Sequence, residues 1–307
     1  MTVINVIGVP SSAGSYSAGQ EQAPTALRAA RLIEALTGAG NDVRDRGDLT
    51  EQTWSPDRDR PFAQNLTEVV QSVQELTTAA ADLLTTDERL LVLGGNCTVA
   101  LGTCAGLRRA SGEPGLVYID RHFDLNTPDS TTEGALDWMG LAHALDLDGA
   151  ADELVAALGP RPLLRPDRLS FLGVDATQAT DWERTQVERL GLHVVPQADL
   201  MQAPARAAAA AQEALLPGPF AVHIDVDVFD FIDAPMAENV NGRNSGSTIE
   251  QLEQALAQLW RHPNCRALSI GELNPVHAAA DPDALPRFIA ALARALTPAA
   301  RNVKEWR

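Results

Sequence analysis

The stretch Leu116-Val117-Tyr118-Ile119-Asp120-Arg121-His122-Phe123-Asp124 decides how this chain is read. Its first four residues form an apolar run of the kind that builds a buried strand, and polar residues begin where such a strand would reach the edge of its sheet. If the extended conformation continues, Asp120, His122 and Asp124 point one way and Arg121 and Phe123 the other. Two carboxylates and an imidazole then converge at the end of a buried strand, an arrangement costly to desolvate unless a cation sits among them. A divalent-metal site is the first expectation. A polar loop carrying a histidine and two solvated acids fits the same five residues, so the rest of the chain has to discriminate.

Outward from this stretch, apolar runs predict strands at 3–9, 42–46, 90–93, 116–119, 169–174, 192–195, 220–225 and 267–270. Helical patterns fall between them at 23–36, 66–84, from 98 onward, 182–190, 204–216, 248–260 and 282–296. Gly102, Ala105 and Gly106 lie on the packing side of the helix that starts at 98. The proline-rich segment 148–167 reads as a surface excursion, the loop 231–247 as a substrate-facing or solvated connector, and 301–307 as a short basic tail. Alternation of this kind predicts a three-layer α/β/α fold on one eight-stranded parallel sheet, in a single domain covering 1–307.

Composition narrows the function. The net charge of -17, with no basic stripe, excludes polyanions as natural partners, so neither nucleic acid nor an anionic membrane surface is expected. No apolar segment approaches the length of a membrane span, and the N-terminus lacks an export signal, which predicts a cytoplasmic protein. Cys97, Cys104 and Cys265 have no CxxC spacing and read as reduced thiols.

In parallel sheets ligands bind beyond the carboxyl ends of the strands, and here those ends are chemically rich. Gly94-Gly95-Asn96-Cys97 follows the third strand, Asp120-x-His122-x-Asp124 the fourth, Asp225-x-Asp227 the seventh and Glu272-Leu273-Asn274-Pro275 the eighth. The acids and the imidazole suffice for two divalent ions sharing bridging carboxylates.

These four motifs, with Gly19-Gln20-Glu21-Gln22-Ala23-Pro24 before the first helix, resemble the ureohydrolase family of arginases and agmatinases over nearly the whole chain. The resemblance implies an arginase-like fold, a pair of manganese ions, and metal ligands at Asp120, His122, Asp124, Asp225 and Asp227. It also implies Glu272 as the guanidinium-binding carboxylate and Asn126 and Thr131 as substrate-loop residues. The implied reaction is hydrolysis of a guanidino or amidino carbon–nitrogen bond, giving urea or a substituted urea and an amine. In it Asp124 accepts a proton from the attacking water.

The chain departs from the family in informative ways. Cys97 stands where the family places a histidine ligand; a thiolate there is a softer donor, and the competing reading is a small buried hydrophobe. Asp137 aligns with the proton-shuttling histidine of arginases, a role open to a carboxyl only if its pKa is raised. Gln178 replaces the acid that holds the α-amino group of arginine. Because relatives with cysteine at the first motif include N-hydroxyarginine hydrolases, the resemblance points to a modified arginine. Arg121 is expected to face away from the metals and pair with an acid, and His223 to be a core or supporting histidine rather than a ligand. His277 fits the mouth of the site or the open surface equally. Expected partners are a small guanidino molecule and, as an open alternative, further copies of the chain. A competing function keeps the fold without catalysis, as a binding or regulatory subunit, because the family's imidazoles are missing at both Cys97 and Asp137.

Overall fold

Alternate residues of the central strands divide between two hydrophobic cores. In β7 (Phe220–Asp225), Phe220, Val222 and Ile224 enter one core and Ala221 the other; in β3 (Arg89–Leu93), Leu91 and Leu93 oppose Leu90 and Val92. Strands apolar on both faces require helices on both faces. Helices Ala23–Ala29, Leu32–Gly38, Gln197–Gln202, Pro204–Glu213, Ile249–Trp260 and Ala284–Ala295 cover the first. Helices Leu66–Leu83, Val99–Ser111, Gly140–Ala144 and Asp152–Ala157 cover the second. The computed structural model describes residues 3–85, 87–239 and 244–298.

The remaining strands are β1 (Val3–Gly8), β2 (Asp42–Asp48), β4 (Gly115–Ile119), β5 (Leu169–Val174), β6 (His193–Pro196) and β8 (Cys265–Gly271). They form one sheet in the order β2-β1-β3-β8-β7-β4-β5-β6, and every pairing is parallel. The expected eight-stranded α/β/α arrangement is therefore present. No helix among the described residues is long and apolar enough to cross a membrane.

Packing explains two local choices. A Cβ on Gly102 would press on Leu76 at 2.9 Å, and one on Gly106 would strike Ala80, so small residues let Val99–Ser111 lie directly against Leu66–Leu83. Leu76 is fully buried in that seam, and Leu76→Ala would cost about 2–5 kcal/mol. Thr248 caps Ile249–Trp260 by accepting from the Gln251 amide while Gln251 returns the bond, which starts the helix immediately after the long loop.

Four expectations need correction. The helix at 23–36 is two helices, broken where Arg31 takes φ 70°; the break lets Leu27, Leu32 and Leu36 all reach the core. Segment 148–167 is no surface excursion, because Leu154, Leu158, Leu163 and Leu164 are buried there. Gln197–Gln202 is an additional helix, carrying a single core anchor, Leu200, too little to set up a helical period. Finally, β4 stops at Ile119, so strand alternation does not govern residues 120–124. The tail at 301–307 and part of the loop 231–247 lie outside the described residues.

Candidate metal centre

β3, β8, β7 and β4 are consecutive in the sheet, so their C-terminal ends bring Cys97, Glu272, Asp225 and Asp120 to one place. Beyond β4 the chain turns. The Asp120 carboxylate accepts the His122 amide at 2.6 Å, and Asp124 sits at φ 52° with its carbonyl taking the amides of Leu141 and Ala142. The acids thus converge through a hydrogen-bonded turn rather than through an extended strand. Beyond β7 the 3-10 turn Val226–Val228 does the same for Asp227, whose amide donates to Asp225 at 2.7 Å.

Two donor groups result, each with ligand atoms mutually within 4.8 Å: Cys97, Asp120 and Asp225, then Asp120, His122 and Asp227. Asp120 belongs to both. Its Oδ2, and Oδ1 of Asp227, are buried without hydrogen-bond partners among the described residues. Buried carboxylate oxygens without a hydrogen-bond partner are the condition a bound cation relieves. The site therefore fits divalent ions in two adjoining positions, one bearing sulfur and oxygen donors, the other nitrogen and oxygen. Asp124, implied as a ligand by resemblance, stands outside both groups; it lines the same cleft and accepts a hydrogen bond from the Tyr118 hydroxyl.

The electrostatics follow from crowding acids in a dry pocket. Burial, then repulsion from Asp227, lifts Asp120 to about 6. Burial chiefly, then neighbouring acids, holds Asp225, Asp124 and Glu272 well above the carboxylate range. Asp227 goes the other way, because His122 and Arg121 together outweigh its desolvation. Burial opposes charge on His122, yet Asp227 and Asp120 prevail and hold the ring well above its ordinary range. Its Nδ1 lies 3.0 Å from Asp227 and 3.4 Å from Asp120.

Glu272 is fixed from both ends. Its Oε1 accepts the Cys97 amide at 2.9 Å, and its Oε2 accepts from the Gln20 side chain. The residue holds φ 66°, a strained value for glutamate, and its backbone is locked by Gly95 and Glu238. Asp137 lines the same cleft, and burial raises it to about 7. Cys97 Sγ is 3.3 Å from Asp225 and 3.1 Å from His223 Nε2, and burial pushes its thiol well upward.

The cleft encloses about 610 Å3. Tyr16, Trp138, Asp175, Gln178 and Asn239 line it together with the residues above. Asn126 and Thr131 do not: Asn126 is wholly buried, accepting from Thr180 and Ser130, and Thr131 accepts the Glu133 amide. Arg121 and Phe123 do line it, contrary to the expectation from alternation. The Arg121 guanidinium donates to the carbonyls of Asp227, Phe229 and Ser245, and Asp227 Oδ1 lies 4.0 Å away. His277 is tied to the Ala237 carbonyl, away from the cleft. Sequence reasoning assigned no role to Tyr118 or Ser269 and quoted Gln20 only within a motif; their contacts join positions 6, 46 and 252 residues apart, which no local pattern records.

Comparison with known proteins agrees with this geometry. Residues 3–296 match the model of the Arginase family. The chain is 30% identical to the arginase of Bacillus subtilis strain 168 over 191 residues, 62% of this chain and 63% of that one. It is 28% identical to Arginase-1 of Homo sapiens over 201 residues, 62% of each. These matches span less than two thirds of the relatives' lengths. The crystal structure of arginase from Bacillus cereus superposes with a TM-score of 0.84 at 25% identity, covering 97% of this chain and 99% of that one. Formimidoylglutamase from Bacillus subtilis shares the fold, with a TM-score of 0.72 at 20% identity over 96% and 86%. With its sheet order, its paired acidic strand ends and a family match over almost its whole length, the chain belongs to the arginase family.

Proposed function

We propose that this protein hydrolyses the carbon–nitrogen bond of a guanidino compound, releasing urea or a substituted urea and an amine, with two divalent ions, manganese first among them. The observation that carries the reading is the pair of donor groups sharing Asp120 in one cleft with Glu272. Bound there, such ions supply Lewis acidity and water that ionises near neutral pH.

The chain's own residues do the rest. Glu272, anchored by Gln20 and the Cys97 amide, keeps lone pairs for a guanidinium, whose charge offsets the burial that raises this acid. Asp124 would be ionised once cations offset the burial and repulsion that raise it, and the Tyr118 hydroxyl favours its charged form. It accepts a proton from the attacking water, and Asp137, poised at about 7, returns one to the departing amine. Gln178, standing where an acid would hold the α-amino group, argues against plain arginine, and Cys97 at the first motif, where the chain resembles N-hydroxyarginine hydrolases, favours a guanidine modified at its nitrogen.

The test is a screen of guanidino compounds, N-hydroxyarginine and arginine among them, for urea and amine release with manganese added. Stoichiometric manganese binding without turnover of any compound would favour a non-catalytic binding protein instead. Failure to bind metal would remove both the site and the reaction.

A further inference from the structure

β8 lies between β7 and the end of β3, and its residue at the crossing is Gly271. A Cβ there would fall 3.0 Å from both Cys97 Sγ and His223 Cε1. The missing side chain leaves a gap, and through it the imidazole of β7 reaches the sulfur that follows β3, Nε2 to Sγ 3.1 Å. The ring is held on its other sides as well. His223 is in register with Ser269 on β8, with Nδ1 2.8 Å from its hydroxyl, and with Tyr118 on β4, whose ring stacks on it at 4.8 Å and 19°. All four side chains are buried. His223 belongs to neither donor group found among the described residues, and its contact with them is through the sulfur of Cys97.

We propose that His223 is a positioning residue for Cys97, aiming its sulfur at the place shared with Asp120 and Asp225 and so making Cys97 a metal ligand. A neutral imidazole has one N–H. In the tautomer in which the Ser269 hydroxyl donates to Nδ1, that proton sits on Nε2, and once a bound cation has displaced the thiol proton it would be donated to the sulfur, which fixes its direction and lowers the energy of its lone pairs. The imidazole absent from position 97 is thus supplied one shell further out, from a neighbouring strand. This inference rests on the metal-centre reading, and the following experiment separates the two.

Cobalt(II) is titrated into wild type, Cys97→Ser, His223→Gln, His223→Leu and Ser269→Ala, with absorption and stoichiometry recorded. Wild type is expected to show a near-ultraviolet thiolate-to-cobalt band that Cys97→Ser lacks. His223→Leu, having no donor, should move the band to lower energy and weaken cobalt binding at that position by about ten- to a hundredfold. His223→Gln, whose amide nitrogen reaches the Nε2 position, should restore both. If His223→Leu does not fold, Ser269→Ala must show a smaller shift in the same direction, and an unmoved band there overturns the proposal. So does an unchanged band and affinity in a folded His223→Leu. Wild type that binds cobalt without a thiolate band overturns the role of Cys97 and His223 while leaving the metal centre standing; wild type that binds no cobalt removes both.

Discussion

Oε1 of Gln178 lies 3.3 Å from Nε2 of His122, the ring nitrogen opposite the one that faces Asp227. The Gln178 amide nitrogen in turn donates to Asp175 at 3.0 Å. Outer partners of this kind set the tautomer and direction of a ligating histidine. Gln178→Ala is therefore expected to weaken metal binding in the Asp120, His122 and Asp227 group by about tenfold or more. Manganese titration decides; a change confined to KM, with metal affinity intact, would leave Gln178 as a substrate contact only.

Asp120 is common to both donor groups. Its replacement by alanine should abolish both metal positions, whereas His122→Ala should spare the Cys97 side and Cys97→Ser the His122 side. Elemental analysis after manganese loading gives the stoichiometries. Equal losses in all three variants would mean that the positions are not separable.

Glu272 belongs to neither donor group found among the described residues and meets Cys97 through its amide. Glu272→Gln should keep its metal while losing about 2–4 kcal/mol in kcat/KM, the size of a charge-assisted contact to a desolvated cation. Loss of metal in this variant would make Glu272 a ligand and contradict the role assigned.

Asp137 makes the reading sensitive to pH. Burial raises it to about 7, against about 3.9 in an unfolded chain. Because the folded pKa is raised, the contribution of this acid to stability is complete below about pH 4 and is lost as pH climbs towards 7. Asp137→Asn stays neutral and should gain stability relative to wild type across that window. Urea midpoints of both metal-free proteins, measured from pH 4 to 8, should diverge as pH rises. Parallel curves would show that the acid is not held protonated by its surroundings.

The strands and the strand-end motifs were legible because buried parallel strands are short apolar runs, and 169–174 and 220–225 match β5 and β7 residue for residue. Cys97 beside Asp225 and Glu272 beside Cys97 followed from the rule that ligands gather at the carboxyl ends. What stayed hidden depends on backbone turns and on distant partners. The turn that follows Ile119 brings Arg121 and Phe123 to the cleft, against what extended alternation assigns, and Arg121 satisfies carbonyls more than 100 residues away. The burial of Leu154, Leu158, Leu163 and Leu164 is obscured by Pro160, Pro162 and Pro166, whose breaks look the same in a packed loop as in a solvated one.

The position of β8 has a consequence for how the molecule assembles. It is the last strand among the described residues yet lies inside the sheet, joining β2-β1-β3 to β7-β4-β5-β6. Until residues 265–271 emerge from the ribosome, the two part-sheets have no strand between them, and β3 and β7 each present an open edge. Asp120, His122 and Asp227 all belong to the second part-sheet, whereas Cys97 comes from the first. The carboxylate–imidazole position can form before the seam closes, and the sulfur position only afterwards. Contacts such as Glu272 to Cys97, 175 residues apart, place that closure among the slow events of folding. The two positions therefore become complete at different stages in the making of the chain.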